Sequence, residues 1–296
     1  MILLNKIKTS NSHLLELKDN VNNTSALIDL NLGGSLQALV INGKQILANF
    51  KYKTYEETYA SAILFPFVNR VNDGKYSFKG INYQLNCNEA ANNNALHGLV
   101  YNKVFELKKY TISKKKTSVT IQYKEISKNS GFPFTYHILI KYTLSNKGIR
   151  IKARVKNTDT HSFPFTIGWH PYFYAKNFNN SSIQFQASQK VLHNSKMIGT
   201  KLTEFNSEMP LFFGGVSLDD CYDLAHNTIL FKTSDYECKL QSSVANSFLQ
   251  IYTPKTDNAI AIEPQTGISD SFNNGIGLQV LQPDQKYSVE WKLAIT

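Results

Sequence analysis

Apolar and polar residues alternate with a period of two along most of the chain. Residues 149–156 read Ile-Arg-Ile-Lys-Ala-Arg-Val-Lys, apolar on one face and basic on the other. That is the pattern of a strand with one solvated face. Residues 134–144 (FTYHILIKYTL) predict a partner strand, with a hairpin turn at Ser145-Asn146-Lys147-Gly148 between them. Asn42-Gly43 predicts a second hairpin between SLQALVI and KQILA. Residues 76–85 predict a third, turning near Lys79-Gly80. Further short strands fit 104–110, 117–125, 182–187, 228–233, 236–241, 248–253, 259–263 and 286–295. Only residues 55–62 suit a helix, ended by Phe65-Pro66. With no internal repeat, low-complexity segment or Pro/Ser-rich linker, the pattern predicts an all-β protein. The expected architecture is an antiparallel sandwich or barrel in one continuous domain over residues 1–296.

Composition narrows the function classes. A chain of 296 residues can bury a core without disulfide or metal staples. No apolar run approaches the length of a membrane span, and the N-terminus turns polar after four residues, unlike a secretory signal. Cys87, Cys221 and Cys238 are odd in number and lack metal spacing. They point to a reducing compartment and a cytoplasmic location. The net charge of +10 raises the question of nucleic acid. However, only Arg70, Arg150 and Arg154 are arginines, the lysines are spread through the chain, and about a tenth of all residues are asparagine, above ordinary usage. This reads as a general compositional bias, so no nucleic-acid and no membrane partner is expected. The one dense run, Lys114-Lys115-Lys116, falls in an expected hairpin turn.

Four segments interrupt the alternation and concentrate reactive residues. Phe65-Pro66-Phe67-Val68-Asn69-Arg70 holds the one arginine outside an alternating strand. A guanidinium can hold two hydroxyls or a carboxylate in fixed geometry; the plain alternative is a structural ion pair. Asn94-Ala95-Leu96-His97-Gly98 sets a histidine beside a glycine, where backbone can approach a ligand closely. Taken alone, His97 is better explained as a satisfied surface histidine. Gly168-Trp169-His170-Pro171-Tyr172-Phe173 offers a ring-rich platform for sugar C–H faces, or an aromatic core cluster. In Ala261-Ile262-Glu263-Pro264-Gln265-Thr266-Gly267, Glu263 ends an apolar strand. Desolvation there would raise its pKa toward that of a general base. Dinucleotide, Walker, Cys-x-x-Cys, His-Glu-x-x-His and Gly-x-Ser-x-Gly patterns are all missing from the sequence. Histidine, arginine and glutamate remain, and they suit proton transfer.

In this order and spacing, Asn69-Arg70, His97-Gly98, His170-Pro171-Tyr172-Phe173 and Glu263-Pro264-Gln265 resemble the aldose 1-epimerases, or galactose mutarotases. Gly131-Phe132-Pro133-Phe134 adds that family's Gly-Tyr/Phe-Pro pattern, and the resemblance covers about residues 25–296. It implies a large antiparallel β-sandwich of the galactose mutarotase type, with no metal and no organic cofactor. It implies Glu263 as catalytic base and His170 as catalytic acid, with Arg70, His97 and Asn69 binding substrate hydroxyls. An Asp before an aromatic is also expected. In Leu218-Asp219-Asp220-Cys221-Tyr222 the spacing favours Asp219, with Asp220 and Asp223 as alternatives. The implied reaction interconverts the α and β anomers of a hexose, a small-molecule sugar partner, in a monomer or homodimer. A phosphorylated-sugar epimerase and a non-catalytic carbohydrate-binding protein are the other readings.

Overall fold

The structure, a computed structural model, describes the chain except residues 11, 51, 215, 246 and 255–257. It is a large antiparallel β-sandwich. One sheet of nine strands runs in the order 106–112, 116–125, 136–145, 148–157, 286–295, 237–242, 228–232, 182–184 and 211–212. Across the core lies a sheet in the order 199–204, 187–193, 219–224, 248–252, 259–265, 168–169 and 63–64, with 172–174 also paired to 259–265. A third sheet of five strands is built from residues 3–45.

The alternation read from residues 149–156 is realised directly. Ile149, Ile151, Ala153 and Val155 are buried in the core, and Arg150, Lys152, Arg154 and Lys156 line the outer face. The hairpin at Ser145–Gly148 and those around Asn42-Gly43 and Lys79-Gly80 form as expected. Residues 182–187 do not form one strand. Pairing stops at Gln184 and resumes in Ala187–His193, which belongs to the opposite sheet. The helix expected over 55–62 is one turn, Tyr55–Thr58. Tyr59 takes a left-handed conformation (φ 49°) and ends it well before Phe65-Pro66. Among the described residues no helix is long and apolar enough to cross a membrane.

Candidate active site

The strand Ala259–Gln265 is buried along its whole length because both of its faces are covered. Ile260 and Ile262 enter the main core, while Ala259 and Ala261 pack beneath Tyr172 on the other face. Glu263 continues that second face. Register sets Glu263 opposite Gln250 and Gln250 opposite Cys221; the next row is Ala261, Tyr252 and Asp219. Directly paired residues point to the same side of a sheet. Glu263, Gln250 and Asp219 therefore share one face, although they come from three strands.

His170 reaches this face from the link between Gly168–Trp169 and Tyr172–Tyr174, both paired to the Glu263 strand. Its N–H donates to the Ala62 carbonyl (3.0 Å), and its carbonyl accepts from Ser61 (2.7 Å). With the backbone fixed on both sides, His170 Nε2 lies 3.2 Å from Glu263 Oε1. Gln265 Nε2 donates to the other carboxylate oxygen at 2.8 Å. Burial pushes the Glu263 carboxyl well above its ordinary range, and the charge of Asp219 adds to this. Burial also lowers His170, to about 4. Both shifts disfavour charge.

His97 is buried, not on the surface, and its ring stands 4.9 Å from that of His170, edge to face. Its N–H donates to the Asn69 carbonyl at 2.8 Å. His97 (φ 62°) and Asn69 (φ 51°) are both left-handed, a conformation that non-glycine residues adopt at a cost. Gly98 has a different task from the ligand approach expected of it. A Cβ there would sit 2.4 Å from the Phe65 carbonyl oxygen, so the glycine lets two backbone segments meet.

Arg70 makes the ion pair that was the plain alternative for it. Its Nε lies 3.0 Å from both oxygens of Glu89, and Nη2 donates to Oε1 at 2.8 Å. Nη1 donates to Asn69 Oδ1 at 3.0 Å. Burial alone would raise the Glu89 carboxyl, but hydrogen bonds from Arg70 and Asn94 outweigh it and hold the pKa low. From Asn69 the chain of contacts continues: Asn69 Nδ2 donates to Gln250 Oε1 (3.3 Å), and Gln250 Nε2 to Asp219 Oδ1 (2.8 Å). Desolvation within the cluster raises the Asp219 carboxyl and the charge of Arg70 opposes it, while the residue remains open to solvent, which limits the rise. Asp220 points to the opposite face, where Lys190 lies 3.6 Å away. Asp223 lies further along the strand, paired with Phe248.

The fold thus brings Glu263, His170, His97, Arg70, Asn69 and Asp219 together. It adds Glu89 and Gln250, which sequence reasoning missed. A signal was present for Gln250: it is the lone amide in the apolar run Phe248–Tyr252. Glu89 is the carboxylate of an asparagine-rich loop ahead of His97.

An antiparallel sandwich with a buried His–Glu pair on one sheet face is the class of protein these features define. The chain belongs to the aldose 1-epimerase family, whose model matches residues 13–294. It is similar to uncharacterized protein YihR of Escherichia coli (22% identity over 268 residues, 85% of this chain and 84% of that one). It is also similar to the bifunctional protein GAL10 of Kluyveromyces lactis (21% identity; 90% of this chain, 42% of that one). In structure it resembles a galactose mutarotase-like protein from Clostridium acetobutylicum (TM-score 0.89, 20% identity, 100% and 98% of the two chains). Galactose 1-epimerase from Lactobacillus acidophilus shares the fold as well (TM-score 0.79, 16% identity, 100% and 99% covered).

Proposed function

We propose that the protein is an aldose 1-epimerase that interconverts the α and β anomers of a free, uncharged hexose. The observation that carries this reading is the 3.2 Å contact between His170 and Glu263. Ring opening takes a proton from O1 and gives one to O5. Both oxygens are bonded to C1, so the acid and base must sit side by side.

Burial raises Glu263 and lowers His170, which widens the pH range over which the pair holds one proton. In the working tautomer Glu263 is ionised and His170 protonated. Glu263 takes the O1 proton, the C1–O1 bond becomes a carbonyl, the C1–O5 bond breaks, and O5 receives the His170 proton. The pair ends as a neutral carboxylic acid and a neutral imidazole, and its net charge has not changed. Rotation about C1–C2 presents the other carbonyl face, and the same steps reverse. Each positioned acid or base contributes about 10²–10⁴-fold. Arg70, His97 and Asp219 hold hydroxyls of the open chain, and Asn69 holds Arg70.

The cations on the Arg70–Asp219 side favour an uncharged sugar. Arg70 is taken up by Glu89 and Lys196 by Asp73 (2.8 Å). A phosphate would have to displace a carboxylate from one of them. The three free cysteines fit a cytoplasmic, reducing setting. The test is a polarimetric or NMR panel that follows anomer exchange of glucose, galactose and glucose 6-phosphate above the spontaneous rate. Acceleration of a free hexose is expected. Exclusive action on the phosphate would overturn the substrate reading, and no acceleration of any of the three would favour a binding protein on this fold.

A further inference from the structure

Gln265 lies next to the proposed acid–base pair without being part of it. Among the described residues its amide N–H is one of two polar contacts of the Glu263 carboxylate, the other being His170. The side chain is 1% exposed, and its Oε1 has no hydrogen-bond partner among the described residues. A buried carbonyl oxygen left unpaired is unfavourable. The opposite amide orientation would instead set that oxygen against the carboxylate. The amide is therefore oriented for Glu263 at the expense of its own other end. The fold also makes room for it. Gly168 pairs with Gln265 across the sheet, and a Cβ at Gly168 would stand 3.0 Å from Gln265 Cγ.

We infer that Gln265 is a positioning residue that stabilises the carboxylate form of Glu263 and so raises the share of the pair's proton that His170 carries. An N–H donated to a carboxylate favours the charged form. Without it, the balance shifts further toward neutral Glu263 and the population of the working tautomer drops. Among the described residues the other charged or titratable groups around the pair are Asp219 and Arg70, which act on Glu263, Cys221 beyond Gln250 on the same face, and His97 and Tyr172 against the His170 ring. Asp219 opposes ionisation of Glu263 and Arg70 supports it. Gln265 is the one uncharged group that donates a hydrogen bond to it among the described residues.

The kinetic part of the test rests on the epimerase reading, and the spectroscopic part does not. Gln265→Leu removes the donor. Gln265→Glu keeps the shape and can donate only while its own carboxyl is protonated. Infrared titrations of wild type and Gln265→Leu, with the Glu263 band isolated by difference against Glu263→Gln, should place the loss of the protonated-carboxyl band at higher pH in Gln265→Leu. On a sugar turned over by the wild type, Gln265→Leu should lose about 10- to 100-fold in kcat across the plateau, with KM within about threefold. Its alkaline limb should move to higher pH, because Glu263 binds its proton more tightly. Gln265→Glu should keep activity on the acid side and lose it earlier as pH rises. Melting curves identify any variant that has not folded, in which case the other decides. A carboxyl band lost at the wild-type pH in a folded Gln265→Leu would overturn the inference even if no sugar is turned over. An equal loss at every pH in both variants, with an unmoved alkaline limb, would also overturn it and leave a packing role.

Discussion

His170 Nε2 and Glu263 Oε1 face each other across 3.2 Å, and both side chains are almost fully buried. The carboxylate in contact with the imidazole is the proposed base itself, and burial takes His170 down to about 4. Asp219 lies in the same cluster but hydrogen-bonds Gln250. The active species is thus one tautomer of a singly protonated pair, and its pH range is that of the pair.

The rate should consequently stay high well below the ordinary histidine range. As pH falls through about 4, the pair gains a second proton, Glu263 can no longer accept one, and kcat should drop. On the alkaline side the loss should begin above the ordinary glutamate value, where the shared proton leaves the raised Glu263. A stopped-flow or polarimetric pH profile checks both limbs. An acid limb near the free-histidine value would contradict the pair description.

Stability should report the same burial. The folded-state pKa of His170 lies below its ordinary 6.5, so its contribution is fully present above that value and is lost as pH falls toward 4. The amount at stake is on the order of 3 kcal/mol. Glu263 works the other way: its raised pKa gives a contribution that is present at low pH and lost as pH rises through the folded value. Between the ordinary glutamate and histidine values the two slopes oppose each other, so thermal melts over that range should change little in the wild type, whereas His170→Asn should lose stability as pH rises. An identical slope in the variant would mean that His170 is not the titrating group.

Glu263→Gln keeps the shape of the base and removes its ability to take the O1 proton. His170→Asn removes the donor to O5. Each should lower kcat by roughly two to four orders of magnitude with a smaller change in KM. The double variant should lose less than the product of the singles, because both groups serve one step. Wild-type kcat above background in Glu263→Gln would eliminate the acid–base mechanism.

The two sheet faces of strand 148–157 could be read from the chain because a half-buried strand writes its environment into alternate residues. The N-terminal strand Leu3–Lys8 has no buried residue, so no alternation marked it. The reactive residues stood out as breaks in the pattern, but their connections did not. Asn69 and Gln250 meet across 181 residues of sequence, and only sheet register places Gln250 between Glu263 and Cys221. The choice among Asp219, Asp220 and Asp223 was open for the same reason. Neighbouring strand residues face opposite ways, and which face carries Glu263 is a property of the assembled sheet.

Arg70 and Glu89 should behave as a unit. Arg70→Lys keeps the charge but cannot donate in parallel to both Glu89 oxygens and to Asn69. KM for the best hexose should rise by about tenfold or more, with a smaller fall in kcat. Glu89→Gln leaves the guanidinium without its counter-charge and should raise KM in the same direction, with less than additive effect in the double variant. Unchanged KM in both would confine the pair to a structural role.

Gly98 tests the backbone beneath His97. Its φ of 81° lies in the left-handed region, and an added Cβ would stand 2.4 Å from the Phe65 oxygen and 2.7 Å from the Phe65 carbonyl carbon. Neither atom can rotate away, because both belong to backbone tied by the Leu99 N–H to Phe65 carbonyl bond at 2.7 Å. Gly98→Ala should therefore combine conformational strain of about 1–3 kcal/mol with a steric shift of the segment that carries His97. The expected outcome is a lower melting temperature by several degrees. A rise in KM should accompany it, since His97 is one of the proposed hydroxyl ligands. Calorimetry and steady-state kinetics on the same preparation separate the two effects. A variant with normal melting and normal KM would show that the segment tolerates a side chain at this crossing.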